Sequence, residues 1–401
     1  MAARTIAATF AVDTGPETEG REMKEKVVIV GGGVAALEAA LILHDLAGDR
    51  AAVEIYAARN DFVYRPYAVG KPFGSAVLKT YDLPALARRC GSEFHPDSIV
   101  SVDASARLAT TFQGSSVPYD HLLFAAGASR QWPVPGATTF WGIADATDVE
   151  EVIGRFKARQ IRRAAFTMPS GGGWSLPMYE LALLTEAELS RAGVEDHELT
   201  VVTPEDAPLQ LFGRGVSEAV ATLLEQRGIE VISGTHPVGF HGGRLQVAPE
   251  ARLDFDEVIS LPRLEGQAVS GLIHDSDGFV RIDDHCRALH RERIYAAGDT
   301  TSFPVKQGGI AAQQADVAAE AIAAELGVPI EPSAFDPILR AVLWTGYEPL
   351  YLQGRLGGGH GETSILSTEP PWKGGTDKIV ARRLTSFLAE VDADHDVGAR
   401  L

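Results

Sequence analysis

Two stretches far apart in the chain carry the residue types from which chemistry could be built. The first, Val27 to Glu38, reads VVIVGGGVAALE: an apolar run of strand length, three consecutive glycines, then apolar residues at helical spacing as far as Leu46. Gly31, Gly33 and Ala36 match G-x-G-x-x-G/A. In that pattern the backbone reverses sharply and comes so close to a pyrophosphate that a side chain would block it. The helix entered through Val34 and Ala35 then turns its unpaired N–H groups and positive dipole end toward the anion. A plain strand-to-helix turn has the same grammar, so the second stretch matters. Ile294 to Ala315, IYAAGDTTSFPVKQGGIAAQQA, is another apolar strand, ending in Gly298-Asp299, whose loop feeds an alanine-rich helix.

Further elements must bring these two stretches together. Ala52 to Tyr56 reads as the second strand; its end, near Ala57, is where a dinucleotide fold offers an acid to the adenosine ribose. No acid stands there, and Arg59, Asn60 and Asp61 come slightly late. The following DFVYRP, Asp61 to Pro66, sets Arg65 to pair with a phosphate and Tyr64 to lie beside a planar ring. The bland alternative is a packed loop with a surface arginine. Ser98 to Thr111 alternates as a hairpin that includes Val100, and Tyr119 to Ala128, YDHLLFAAGA, is a buried strand ending at Ala126-Gly127.

Ala164 to Leu184 repeats the opening grammar with Gly171-Gly172-Gly173, but Trp174, Leu176 and Pro177 occupy the place of the third glycine. Leu199 to Thr203 is the next strand, with Glu205 just beyond it. Asp256 to Leu261 reads as a strand with which the chain returns to the first domain, and Pro329 to Pro337 is a linker by composition. The last segment contains Trp344, Tyr347, Tyr351 and Trp372 around Gly357-Gly358-Gly359. Its terminal helix lines up Val380, Leu384, Phe387, Leu388 and Val391 on one face, for docking onto the body or onto a second copy.

Composition narrows the partners. A chain of 401 residues with 45% hydrophobic and 22% charged residues is globular and large enough for two or three domains. A net charge of −18 argues against nucleic acid and against strongly anionic membrane surfaces. No apolar run reaches the roughly 20 residues of a membrane span, and no signal-peptide core precedes Asp13, so the expected location is cytoplasmic. Cys90 and Cys286 form no C-x-x-C pair and suit a reducing compartment. His285, Cys286 and His290 beside Asp283 and Asp284 match no common metal spacing, so no metal is expected.

With these residues in view the chain resembles the FAD-dependent pyridine nucleotide-disulfide oxidoreductases, in the branch of sulfide:quinone oxidoreductases and type II NADH dehydrogenases. The specific set is the opening glycines, LLFAAGA at Leu122 to Ala128, and IYAAGD at Ile294 to Asp299. The resemblance implies an α/β fold of two Rossmann-like domains plus a C-terminal α+β cap. The expected division is a disordered leader over 1–23, a discontinuous FAD domain over 24–140 and 256–330, a second NAD(P)-type domain over 141–255, and a cap or dimerisation segment over 331–401. Met23 reads as the natural chain start.

By the same resemblance Asp299 meets the ribityl chain of FAD, and Pro304, Lys306 and Gly308 echo a P-K-x-G loop at the flavin pyrimidine edge. A lysine and a helix N-terminus there stabilise the negative charge of reduced flavin; a solvated surface lysine is the alternative. The expected cofactor contacts are Gly31, Gly33, Val34, Ala35, Ala36, Arg65, Val100, Ala126, Gly127, Gly298, Asp299, Lys306, Gln307 and Gly308. Glu180, in Pro177-Met178-Tyr179-Glu180, matches a glutamate near the flavin and, with Lys306, is the catalytic candidate; it is equally placed to be an ordinary helix residue. Gln313 and Gln314 resemble glutamines near the quinone, with a helix surface as the alternative. Sulfide chemistry needs cysteines over the flavin, and Trp174 or Ser175 stands where one would sit. The expected function is electron transfer from a small reductant, NAD(P)H among the candidates, through FAD to a quinone or another small acceptor. The alternative is an FAD-binding assembly or sensing module without turnover.

Overall fold

In the computed structural model, residues 24–171, 173–357, 360–373 and 375–398 are described; the leader expected over 1–23, Gly172, Gly358 and Gly359 lie outside them. The apolar run Glu25–Val30 forms β1 and leads through the glycines into α1 (Val34–Ala47). Then come β2 (Ala51–Tyr56), the short helix α2 (Leu83–Arg89), β3 (Glu93–His95) and β4 (His121–Phe124). The next region comprises β5 (Thr138–Thr139), α3 (Ile143–Lys157), β6 (Arg163–Thr167), α4 (Leu176–Arg191), β7 (Glu198–Val202), α5 (Arg214–Gln226), β8 (Ile229–Ile232) and β9 (Glu257–Ser260). It is followed by β10 (Ile294–Ala296) and α6 (Gly308–Glu325), and by strands β11 (Ile338–Leu343), β12 (Leu350–Gly357) and β13 (His360–Ser367) with helix α7 (Leu384–Gly398).

Two five-stranded parallel sheets result. The first runs β10-β4-β1-β2-β3 and the second β5-β9-β6-β7-β8. Strands buried on both faces read as continuous apolar runs, which is why VVIV and the LLF of β4 carry no alternation. A third, antiparallel sheet of β11, β12 and β13 together with α7 forms the C-terminal cap.

One expected boundary shifts. Glu257–Ser260, read as the return to the first domain, pairs with β6 inside the second sheet, Ala165 opposite Val258. A short buried strand does not encode which parallel sheet it joins. The chain crosses back at Arg263–Glu265, which pairs antiparallel with the outgoing Ser129–Gln131, so the two crossings brace each other.

The core is continuous across these units where it matters for the site. Phe166, Tyr179 and Leu183 of the second unit, Leu339, Leu343 and Leu352 of the cap, Ala68 and Val69 from the loop after β2, and Val305 and Ile310 at the start of α6 share one buried cluster. The apolar face expected on the terminal helix packs inward: Leu384, Leu388 and Val391 lie against Leu37, Tyr64, Tyr81 and Leu86.

Candidate active site

The two glycine stretches meet. Gly31 adopts φ +120°, and a Cβ there would sit 2.1 Å from the Ala125 carbonyl oxygen, so no other residue fits the turn. Its N–H donates to the Tyr56 carbonyl at 2.8 Å. At Gly33, by contrast, the space a Cβ would take is open. Gly33 is the residue before α1, extended and with no side chain capping the helix, so the N–H groups of the first turn remain for an anion. Gly298, at φ +80°, brings the second stretch in: a Cβ on it would lie 3.3 Å from Ala35 and 3.2 Å from Ala311. Gln314 locks this junction from inside α6, its Oε1 accepting from Gly298 N at 2.8 Å.

Ala126 and Gly127 follow β4 beside this turn. Gly127 has φ +75° with open space around it, and the Ala126 carbonyl accepts from Gln267 Nε2 at 3.2 Å. Val100 sits where the hairpin register slips between Ile99 and Ser101, a bulge that turns its side chain outward, 44% exposed. The end of β2 offers no ribose acid: the Ala57 N–H is held by the His95 carbonyl, and Arg59 pairs with Asp61 at 2.8 Å. An open glycine cradle, an uncapped helix start and Asp299 beside it are what a dinucleotide such as FAD requires, apart from that ribose contact.

Three charges face one another beyond the cradle. Burial raises the Asp299 carboxyl above its ordinary range, and Arg65 and Lys306 pull it back. Arg65 is solvent-accessible yet hemmed in by protein, so burial lowers its pKa while Asp299 supports its charge; its guanidinium lies 4.9 Å over the Trp141 ring. Lys306 is 8% exposed; burial brings its ammonium down to about 8, against Asp299 and Asp275. It donates to the Thr301 carbonyl and lies 3.5 Å from the centre of the Phe279 ring. Lys306 is therefore not a solvated surface lysine.

Gln307 caps α6, accepting from Ile310 N at 2.9 Å and donating to the Arg340 carbonyl at 2.9 Å. Its side chain is thereby committed to the fold, and only its backbone is left to face a cofactor. Gly308 leaves room for Ile379, whose Cδ1 would be 2.7 Å from an added Cβ. Gln313 is tied to the backbone of Ile338 by two hydrogen bonds of 2.9 Å, and Gln314 is fully buried, so neither presents a free amide on a helix surface.

Glu180 is no ordinary helix residue. It is 1% exposed and forms an ion pair of 2.5 Å with Lys378, itself 7% exposed, and it accepts from Trp344 N at 2.8 Å. Burial pushes the carboxyl up and the ammonium down, and each charge restrains the shift of the other. The Lys378 ammonium lies 4.1 Å over the Trp344 ring, which stacks on Tyr67 at 5.5 Å. Tyr67 in turn donates to Asp377 at 2.6 Å. Lys378 and Trp344 were missed as partners of Glu180 because 198 and 164 residues separate them and no motif spans that distance. The usable signal was an uncompensated acid within the apolar run of α4.

The second glycine turn is uneven: an added Cβ on Gly171 would have only the Arg263 side chain near it, at 3.9 Å, whereas Gly173 is crowded. Trp174 packs on Phe212 with ring centres 5.9 Å apart, and a Cβ on Gly173 would meet Lys306 Cγ at 2.7 Å. Glu205, at the ribose position of this unit, has its oxygens engaged by Ser175 Oγ at 3.0 Å and the Tyr179 hydroxyl at 2.7 Å; burial raises its pKa. Both thiols lie in the core of the first unit, and burial pushes each up, Cys90 to about 12. A cavity of about 500 Å³ beside β8, lined in part by Asp206, Pro208, Glu225 and Glu230, contains none of the expected site residues.

Residues 25–321 match the family described as pyridine nucleotide-disulphide oxidoreductase. The chain belongs to this family. It is accordingly a flavin-dependent oxidoreductase with FAD as its cofactor. Among proteins similar to this member of the family is the mitochondrial sulfide:quinone oxidoreductase of Dictyostelium discoideum, 22% identical over 85% of this chain and 80% of that one. Another is the ferredoxin reductase component of a chlorobenzene dioxygenase from a Cupriavidus species, 28% identical over 53% of this chain and 50% of that one. Among solved structures, the sulfide:quinone oxidoreductase of Aquifex aeolicus superposes with a TM-score of 0.74 at 19% identity, covering 86% of each chain, which establishes the shared fold. Among the described residues no helix is long and apolar enough to cross a membrane.

Proposed function

We propose that this protein passes electrons from a small reductant through FAD to a quinone or another small acceptor that docks against Trp344, Lys378 and Glu180. The observation that carries the reading is the buried Glu180–Lys378 pair under an indole, on the side of the Lys306 loop where the cap closes over the second unit. Bound FAD supplies the redox chemistry, taking up and releasing two electrons. The chain's part would begin with the turn that Gly31 shapes and with the backbone N–H groups of Gly33, Val34, Ala35 and Ala36, which would hold the pyrophosphate. Ala126, Gly127, Gly298 and Asp299 orient the ribityl chain, Val100 borders the adenine, and Arg65 balances the anionic end. Lys306, ionisable near neutrality, supplies positive charge where reduced flavin accumulates negative charge. Glu180 and Lys378 keep one mobile proton between them, suited to an acceptor that gains protons with its electrons.

For the donor, the altered turn of the second unit argues for a reductant other than a tightly held dinucleotide. NAD(P)H would have to bind at a turn where Trp174, packed against Phe212, takes the place of the third glycine. Sulfide would need a thiol at the flavin, and Cys90 and Cys286 are sealed in the core. The same two observations favour the second reading, an FAD-binding module without turnover. A cytoplasmic location belongs to the proposal. A homodimer does so only through surfaces other than the inward-packed face of α7, with light scattering as its test.

The deciding experiment is anaerobic. The yellow protein is mixed with NADH, NADPH, sulfide, a thiol or dithionite while the flavin band is followed, and the reduced form is then given a water-soluble quinone. Reoxidation far faster than in a free-flavin control supports the proposal. Flavin that stays bound but is neither reduced by any physiological donor nor reoxidised by quinone establishes the module instead. A colourless preparation that refuses FAD overturns both.

A further inference from the structure

The C-terminal strap, residues 375–398, is held to the body by a contact that no expected site uses. Glu38 on α1 is fully buried. Its Oε1 accepts from Arg383 N at 2.7 Å and its Oε2 from Leu384 N at 2.6 Å. A carboxylate borrowed from another helix thus caps α7, taking two of the N–H groups that a helix start leaves without partners. Against it, from α6, stands the half-buried Asp316, whose Oδ1 is sealed from solvent and has no donor among the described residues. The two carboxyls are hydrogen-bonded to each other, burial raises both, and they hold one proton between them, because like charges so placed do not both ionise. Five residues before Arg383 the same strap places Lys378 on Glu180, and Ile379 N on the Tyr64 hydroxyl at 3.0 Å.

We propose that Glu38 and Asp316 form a protonation-dependent latch: with a proton on Asp316 and Glu38 ionised, the strap is docked and Lys378 is seated; loss of that proton loosens the strap. The latch concerns docking and stands apart from the electron-transfer reading. Burial and the neighbouring Glu38 carboxylate raise Asp316 to about 8. Because the docked form holds a proton that the free strap does not, docking weakens as pH rises toward about 8 and levels off beyond it.

The other charges around the pair do not reverse this sign. Arg382 opposes the shift of Asp316 but is itself paired with Glu320 of α6 at 2.7 Å, and Arg383 is paired with Asp45 of α1 at 2.6 Å. From α2 and its end, Arg89 pairs with Asp394 at 2.8 Å and the Cys90 thiol is pushed up to about 12, so neither titrates in this range.

The strap carries its own reporter, since trypsin cleaves after Arg382 and Arg383 only when the segment leaves the surface. The FAD-loaded full chain is digested between about pH 6.5 and 9, with rates normalised to a free peptide of the same sequence. For the unaltered protein, normalised cleavage is expected to climb with pH, by at most about tenfold per pH unit, and to flatten above about pH 8. Asp316→Asn, whose amide donates to Glu38 at every pH, removes the climb. Glu38→Gln, which replaces one of the two acceptors with a donor, raises cleavage at every pH. A flat profile in the unaltered protein, or a climb that survives in Asp316→Asn, overturns the latch. Asp316→Asn keeps the shape of the residue and decides the matter even if Glu38→Gln fails to fold.

Discussion

Replacing Lys378 by Met removes one half of a buried ion pair and leaves Glu180 with a single donor among the described residues, the Trp344 N–H at 2.8 Å. An unpaired carboxylate in such a place costs about 3 to 5 kcal/mol. The protein limits the loss by taking up a proton at about 1.4 kcal/mol per pKa unit. Glu180→Gln strands the ammonium in the same way. Replacing both, Glu180→Gln with Lys378→Met, removes both charges from a site that is otherwise apolar, and a buried pair exchanged for neutral residues of similar size is close to neutral, within about 1 kcal/mol. Urea unfolding of the FAD-loaded protein should therefore show each single variant about 3 kcal/mol less stable and the double variant more stable than either. The double variant should still be reduced by dithionite normally, while its reoxidation by quinone falls at least about tenfold, the scale of lost proton transfer. Additive losses, with the double variant as unstable as the two singles summed, would refute the pairing. Unchanged reoxidation in a well-folded double variant would remove Glu180 and Lys378 from the acceptor site.

Four further outcomes are expected. Gly31→Ala forces a Cβ to within 2.1 Å of a carbonyl oxygen and a positive φ on a residue that resists it, so the purified protein should be colourless or insoluble; a yellow Gly31→Ala protein would contradict the turn geometry. Lys306→Met removes a positive charge from beside the flavin and should make its two-electron potential more negative by about 30 to 60 mV, the equivalent of one charged hydrogen bond, as measured by dye equilibration. The same variant should stabilise the cofactor-free protein below about pH 8: the folded lysine has its pKa lowered to about 8, so folding opposes its protonation there and the penalty fades as pH rises through about 8 toward its ordinary value. Ala57→Asp restores a ribose acid at the end of β2 and should tighten FAD about tenfold, read by flavin fluorescence on titration of the cofactor-free protein.

Much of the fold could be read from local pattern, because its determinants are local. Gly31 announced a turn that only glycine can make, VVIV and HLLF announced strands buried on both faces, and the helical stripe of Leu384, Leu388 and Val391 announced a docked helix. Glu257–Ser260, expected as the return to the first domain, joins the second sheet instead, because a buried strand of four residues suits either one. The engagement of Glu205 by Tyr179 and Ser175 depends on how α4 lies over β7, which no spacing conveys.

The chemistry divides along the same line. By itself the sequence pointed to a dinucleotide turn at Gly31 to Ala36 and to the lack of a cysteine where thiol chemistry would need one, since each depends on residues within one turn, loop or helix. Only the tertiary structure decided that Glu180 is half of an ion pair with Lys378, that Glu38 caps a helix nearly 350 residues away, and that Trp174 packs on Phe212 after the second glycine turn. The physical reason is that burial and partnership set the charge and availability of an ionisable group, and both come from chain segments that no local pattern connects.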